Sequence, residues 1–127
     1  MKVKKDERNN LLTFDHTNDF KIINGRRGCG KSAQLILEAK LKNAIIITAR
    51  KTDYIKYLAK QIGVEVEAYS VAEYKRKIEK DEEFRKQSRP LVIDDLQIVL
   101  SKLLHNVPVA CTESCEVTIL GGGVDVL

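Results

Sequence analysis

The sequence lacks the features that mark secreted and membrane-spanning proteins. Its three cysteines, Cys29, Cys111 and Cys115, are odd in number and have no framework spacing, which favours reduced thiols over disulfides. No apolar run approaches the roughly 18 residues that are needed to cross a bilayer. The charged residues at the start lead into no apolar segment of the kind found in signal peptides. We therefore expect a cytoplasmic protein with no membrane partner.

Proline is also scarce, and neither sign of charge dominates. The 127 residues include two prolines, and no Pro-rich joint or low-complexity linker divides them. This length is sufficient for one hydrophobic core and too short for two. We expect a polar lead-in over residues 1–18 and a single domain over residues 19–127. The net charge of +4 permits contact with nucleic acid, but basic and acidic residues are interleaved, which suits an ordinary solvated surface equally well.

Strand and helix patterns alternate along the predicted domain. The β-branched run at 44–49 is typical of a strand buried on both faces, and apolar residues at helical spacing follow it. The patterns predict strands at residues 20–24, 44–49, 64–69, 91–93, 107–112, 116–120 and 124–127, and helices at 31–42, 53–62, 71–87 and 96–104. This alternation indicates an α/β domain with a mostly parallel sheet flanked by helices. The last two strands flank three glycines and predict a C-terminal antiparallel hairpin.

Local signals predict where two of the helices begin and end. Thr52 is expected to be the N-cap of the second helix, and Gly63 the residue just after its end. Ser70 and Glu73 have the spacing of a capping box, which opens the third helix. Residues 75–89 are mostly charged, which predicts a solvated face or, alternatively, a nucleic-acid surface.

Residues 25–32 contain the most specific motif. Gly25, Gly30, Lys31 and Ser32 match the full Walker A pattern G-x-x-x-x-G-K-S, placed between a predicted strand and a predicted helix. Glycines allow successive N–H groups to point inward around an anion, and a helix N-terminus adds partial positive charge. Lys31 can reach the β- and γ-phosphates, and the Ser32 hydroxyl can bind Mg²⁺. We therefore expect Mg·ATP to bind this loop, which consists of Gly25, Arg26, Arg27, Gly28, Cys29, Gly30, Lys31 and Ser32.

Two adjacent acids follow the apolar run at 91–93. A carboxylate at the end of a buried strand can hold Mg²⁺ beside Ser32, and Asp94 takes that role in our interpretation. Asp95 is then the candidate general base that activates water. The alternative is that the pair only caps the helix that starts at Leu96.

Further candidates have weaker signals. Thr112, at the end of a predicted strand, can sense the γ-phosphate or orient water, with Glu113 as the neighbouring alternative. Arg26 and Arg27 lie inside the loop, and Arg27 is our candidate for an arginine finger in cis. An arginine here can equally contact a partner or solvent. Cys29 takes part in the loop without a chemical role of its own.

These motifs together resemble the P-loop NTPases over about residues 20–112. The chain looks most like the RecA-like division, which has an additional strand between the P-loop strand and the strand that ends in the Walker B aspartate. In this chain the additional strand would be 44–49, and Asp94 would be the Walker B aspartate. The order of residues 45–50, 69–71 and 92–95 is similar to that in the first motor domain of DNA helicases. The loop at 24–32 resembles that of viral DNA-packaging ATPases, and the acid pair resembles that of replication initiators and helicase loaders.

The resemblance implies Mg²⁺-dependent ATP hydrolysis on or with DNA, in replication, unwinding or packaging. It also implies a homo-oligomer or a subunit of a larger complex, in the host cytoplasm if the source is viral. Asp95 departs from the usual glutamate and is one methylene shorter, so we expect slow hydrolysis or a need for a partner. The segment between Thr112 and the next apolar run is too short for a parallel crossover, so the last strand should be rearranged or antiparallel.

Two alternatives stay open on the sequence alone. One is a nucleotide-gated binding or regulatory module with little hydrolysis. The other is a small nucleotide or metabolite kinase, against which the lack of an arginine-rich lid after the acid pair counts.

Overall fold

The computed structural model describes residues 3–5, 12–14, 20–26, 28–113 and 115–121. These residues form a mixed α/β structure with five helices and short strands. The strands are β1 (Val3–Lys5), β2 (Leu12–Phe14), β3 (Lys21–Gly25), β4 (Ile45–Thr48), β5 (Ala68–Ser70), β6 (Leu91–Asp94) and β7 (Glu116–Leu120). The helices are α1 (Lys31–Lys42), α2 (Thr52–Ile62), α3 (Val71–Lys80), α4 (Glu82–Lys86) and α5 (Leu96–Leu104).

A three-stranded parallel sheet, in the order β5-β4-β6, carries the hydrophobic core. Every residue of β4 is buried because helices cover both faces of this sheet. On one face α1 and α2 pack against Ile46, which is fully buried. On the other face α3, α4 and α5 pack around Ile45 and Ile47. The β-branched run therefore forms the doubly covered central strand that its composition predicts.

A second small sheet consists of β3 and β7, which pair in parallel. No backbone ladder joins this pair to β5-β4-β6 within the described part of the chain. Helix α1 packs against strands of both sheets, since it contacts β3 and β6. The described residues therefore form two small parallel sheets, and no closed barrel, where the sequence predicts one mostly parallel sheet.

The prediction for the end of the chain is wrong in two respects. Residues 107–112 form no strand and are largely exposed, with Val109 89% accessible. Strand β7 does form at 116–120, but it pairs in parallel with β3, where the sequence predicts a rearranged or antiparallel last strand. The parallel partner of β7 is β3, and residues 26–115 connect the two strands, which is far longer than the roughly dozen residues that a parallel connection needs. The predicted second hairpin strand, 124–127, lies outside the described residues, so the hairpin stays a prediction.

Other expectations also need correction at the level of single elements. The lead-in contains a small antiparallel pair, β1 with β2. The strand predicted at 64–69 is confined to Ala68–Ser70. The helix predicted at 71–87 breaks at Asp81, because the Asp81 side chain accepts a hydrogen bond from the Phe84 backbone N–H and caps a new helix. Thr52 is the first helical residue, and Lys51 occupies the N-cap position.

Two predicted helix signals are confirmed. Gly63 ends α2 with a φ of 92°, a left-handed conformation that favours glycine. Ser70 and Glu73 form both bonds of the capping box at the start of α3. In the part of the chain that is described, no helix is long and apolar enough to cross a membrane; α1 has 12 residues.

Candidate functional site: a glycine-rich loop beside an acid pair

The loop at residues 25–32 joins the end of β3 to the start of α1, as its motif predicts. Gly28 and Gly30 have φ values of 81° and 89°, which a side chain would strain. Gly30 is the N-cap residue of α1, so the loop leads directly into the N–H groups of the first helical turn. Arg27 lies outside the described residues, and its predicted role stays a prediction.

Gly25 is required for a different reason, which is close packing. A Cβ atom at this position would stand 2.5 Å from Cys29 Sγ and 2.9 Å from the Leu120 carbonyl oxygen. The thiol of Cys29 therefore fills space between the loop and β7. This contact gives Cys29 a packing role, which the motif alone does not reveal.

Lys31 and Ser32 open α1, and both side chains make polar contacts at the loop. The Lys31 ammonium donates a hydrogen bond of 2.7 Å to the carbonyl oxygen of Gly25. An ammonium group has three donors, so this bond leaves donors for a phosphate in the loop. The Ser32 hydroxyl donates to Asp94 Oδ1 at 3.3 Å. Ser32 and Asp94 are 62 positions apart in sequence, and the fold brings them into contact as expected for a shared Mg²⁺ site.

Asp94 is the last residue of β6 and is 7% exposed. Burial raises the pKa of its carboxyl group, and the nearby charge of Asp95 raises it further. The hydrogen bond from Thr48, the charge of Arg50 and the hydrogen bond from Ser32 act in the opposite direction. The net elevation means that the ionised carboxylate lacks full compensation from the protein, and a bound cation would supply it.

Asp95 contacts a residue that the sequence analysis did not select. Its Oδ2 accepts a hydrogen bond of 3.2 Å from Arg50 Nε, which is also an ion pair. Asp95 stands at the N-cap position of α5, yet its side chain makes no capping bond. The structure therefore gives no support to the interpretation that this acid only caps the helix. Its backbone has a φ of 59°, a left-handed conformation that is uncommon outside glycine.

Thr48 is a second residue that the sequence analysis missed. It is fully buried at the end of β4, where the parallel register sets it beside Asp94. Its hydroxyl donates to Asp94 Oδ2 at 3.1 Å. The only available signal was the register itself: β4 and β6 end together, so their last residues, Thr48 and Asp94, are paired.

The remaining candidates lie outside this cluster. Thr112 and Glu113 are exposed and belong to no strand, so the strand end that motivated them does not exist. Their predicted role beside the γ-phosphate stays a prediction. Arg26 is exposed at the loop, next to Gly121 of the β7 end.

The oxygen donors of the cluster suit Mg²⁺. The ion binds carboxylate and hydroxyl oxygens and takes one or two protein carboxylates, completing its shell with phosphate oxygens and water. Ser32 and Asp94 supply two such oxygens in contact with each other. Among the described residues, no group of three or more His, Cys, Asp or Glu side chains is arranged so that it could hold a metal ion.

Comparisons with protein-family models, curated proteins and solved structures found no match to this chain.

Proposed function

We propose that this chain is an ATP-binding P-loop NTPase that hydrolyses ATP with Mg²⁺ and acts on or with DNA, in replication, unwinding or packaging. The observation that carries the proposal is the contact between Ser32 and Asp94. Two segments that lie 62 positions apart, and that the sequence assigns to one chemistry, meet in the fold, which an accidental glycine-rich turn gives no reason to expect. The same loop has the positive φ values and the following helix that phosphate binding requires.

Each side chain has a defined task in this proposal. The loop N–H groups and the first turn of α1 bind the phosphates, and Lys31 balances the charge of the β- and γ-phosphates. Ser32 and Asp94 would hold Mg²⁺, which when bound neutralises charge on the transferred phosphoryl group. Asp95 would accept a proton from the attacking water.

One observation favours the alternative of a nucleotide-gated module with little hydrolysis. The Asp95 carboxylate is ion-paired with Arg50, and Arg50 lies with its guanidinium 5.1 Å from the centre of the Tyr54 ring. The Arg50 guanidinium occupies Oδ2 of Asp95, one of the two oxygens that could accept a proton from water. Freeing both oxygens for that task requires Arg50 to move away from Asp95, and a partner that engages Arg50 would control the rate.

The outer face of α2 supports the DNA part of the proposal. Tyr54 and Tyr57 are one helical turn apart and are 41% and 54% exposed. Exposed aromatic rings beside cations are the surfaces on which single-stranded nucleic acid stacks. The exposed charged residues of α2 and its N-cap position are Lys51, Lys56 and Lys60, against Asp53.

The charged segment at 75–89 supports the DNA proposal less well. Lys77 pairs with Asp81 at 3.8 Å, and Lys86 pairs with Glu82 at 3.3 Å. Because these charges neutralise one another along the helices, the solvated-face interpretation is the better one for this segment.

The test combines three measurements on the intact chain. Binding of ATP, GTP and AMP is measured with and without Mg²⁺; phosphate release is followed with no DNA, single-stranded DNA and double-stranded DNA; and the mass of the assembly is determined. We expect Mg²⁺-dependent ATP binding and phosphate release that rises when DNA is added.

The outcomes separate the candidate functions. Absence of nucleotide binding at millimolar ATP with Mg²⁺ would refute the site itself. Binding without phosphate release in a single turnover, with or without DNA, favours the gated module. Transfer of the phosphoryl group to an added nucleotide or metabolite, rather than to water, identifies a kinase.

A further inference from the structure

The end of β4 contains a buried hydroxyl whose contacts extend to both acids. Thr48 is 0% exposed, and its Oγ1 both donates to Asp94 Oδ2 and accepts a 3.0 Å hydrogen bond from the Arg50 backbone N–H. The side chain of the same Arg50 pairs with Asp95. Thr48 therefore contacts Asp94 directly, and it is linked to Asp95 through Arg50.

The hydroxyl makes the two oxygens of Asp94 inequivalent. Oδ2 accepts the bond from Thr48 inside the core, whereas Oδ1 accepts the bond from Ser32 on the side of the phosphate-binding loop. Rotation of a carboxylate about its last torsion is loosely restrained by the side chain itself. The plane of the Asp94 carboxylate is consequently set by its hydrogen-bond partners, and Thr48 is the buried one.

We propose that Thr48 is a positioning residue for the magnesium site, and that its hydroxyl fixes the Asp94 carboxylate with Oδ1 directed towards Ser32. The inference rests on the proposed function, because it assigns Thr48 a task in the metal site that Ser32 and Asp94 form. Partners that orient metal ligands in this way typically contribute about 10- to 100-fold to metal affinity. The arrangement also explains why a polar side chain ends a strand that is otherwise isoleucine.

The experiment compares Thr48→Val with Thr48→Ser. Valine keeps the branched shape of threonine and removes the hydroxyl, whereas serine keeps the hydroxyl and removes a methyl group. For each variant, the Mg²⁺ concentration that half-saturates the tightening of ATP binding is measured, together with ATP affinity in the presence of a chelator and the melting temperature. None of these measurements depends on turnover.

We expect Thr48→Val to raise the half-saturating Mg²⁺ concentration by about 10- to 100-fold. Thr48→Ser should stay within about threefold of the wild type, because the donor to Asp94 remains. Metal-free ATP affinity should be unchanged in both variants, since the loop and Lys31 make those contacts. A purely structural role for Thr48 would lower the melting temperature and leave the Mg²⁺ requirement of the folded protein unchanged.

If valine prevents folding, Thr48→Ala and Thr48→Ser provide the comparison, since these variants differ from each other only in the hydroxyl. An equal Mg²⁺ requirement in alanine and serine, or in valine and wild type, overturns the inference while leaving the proposed function intact. A wild-type protein that binds ATP with no response to Mg²⁺ overturns the metal site itself, and Thr48's role with it.

Discussion

Replacement of Lys31 by methionine is the most direct perturbation of the proposed phosphate-binding loop. Methionine keeps an unbranched stem of similar length and removes the ammonium group. In the structure this ammonium makes a 2.7 Å hydrogen bond to the Gly25 carbonyl oxygen. Two further donors of the ammonium are available for phosphate, so nucleotide binding does not require this bond to break. The substitution therefore removes the contact between Lys31 and the phosphates. This loss is not offset, because no hydrogen bond within the protein had to break for that contact to form.

The size of the effect follows from the kind of bond that is lost. A hydrogen bond to a charged group contributes about 1.5–3 kcal/mol. Because about 1.4 kcal/mol corresponds to a tenfold change in Kd, Lys31→Met should weaken ATP binding about 10- to 150-fold. AMP lacks the β- and γ-phosphates that Lys31 reaches, so its affinity should hardly change. Loss of the bond to Gly25 should cost about 1 kcal/mol of unfolding free energy, which lowers the melting temperature by a few degrees.

The assay is a titration of ATP and AMP into wild type, Lys31→Met and Lys40→Met, with the melting temperature measured in parallel. Lys40 lies on the same helix but is exposed at its far end, so its substitution controls for the loss of one positive charge. Equal ATP affinity in wild type and Lys31→Met would refute the assignment of the loop. An equal loss of affinity for ATP and AMP would show that Lys31 does not contact the outer phosphates.

Two further substitutions test the acid and the packing of the loop. The pKa of Asp94 is raised in the folded protein, mainly by burial, so its ionisation costs stability as the pH rises from the unfolded pKa of about 4 through the folded pKa. Without metal, the melting temperature of Asp94→Asn should therefore be higher than that of the wild type at pH 7 and equal to it below about pH 4. Mg·ATP should no longer raise the melting temperature of this variant. Thermal denaturation across this pH range, with and without Mg·ATP, measures both effects. Gly25→Ala should destabilise the protein by about 1–3 kcal/mol, because the added Cβ meets the thiol of Cys29 and the backbone carbonyl of Leu120. Adding Cys29→Ala should restore only part of that loss in urea denaturation, since the carbonyl contact remains; full restoration would contradict this account.

The elements that the sequence predicts best have local causes. The four residues of β4 are hydrophobic or β-branched throughout, which is a pattern that only a doubly covered strand satisfies. The loop between β3 and α1 depends on the positive φ angles of its glycines and on the start of a helix directly after it. Both features involve residues that are adjacent in sequence, so the motif reveals them. The position of Asp94 at the edge of the sheet could also be predicted, because neighbouring parallel strands end at the same edge. The sequence therefore predicts the strand, the glycine-rich loop and the position of Asp94 as the structure has them.

The prediction at 107–112 failed because it depends on packing that the composition does not encode. Val107 and Val109 suggest a strand, but they are 65% and 89% exposed and pair with no strand. Pro108 has no N–H to donate to a ladder, and its carbonyl instead accepts a 2.8 Å bond from Gln97 of α5. The segment is therefore attached to a helix, and strand propensity alone could not indicate that.

The assignment of Asp95 depends on a contact that is remote in sequence. Considered with its neighbours, this acid precedes a helix and is an ordinary capping candidate, but its side chain makes no such bond. The register that sets Thr48 beside Asp94 also brings Arg50, two residues on, within reach of Asp95. Arg50 in turn contacts Tyr54 on the exposed face of α2. The acid proposed to activate water is thus linked through one arginine to the surface proposed to bind DNA, so a strand of DNA that competes for Arg50 or Tyr54 would release the base. If the proposed function holds, stimulation of hydrolysis by DNA would follow from the same contact that would slow hydrolysis by the isolated chain.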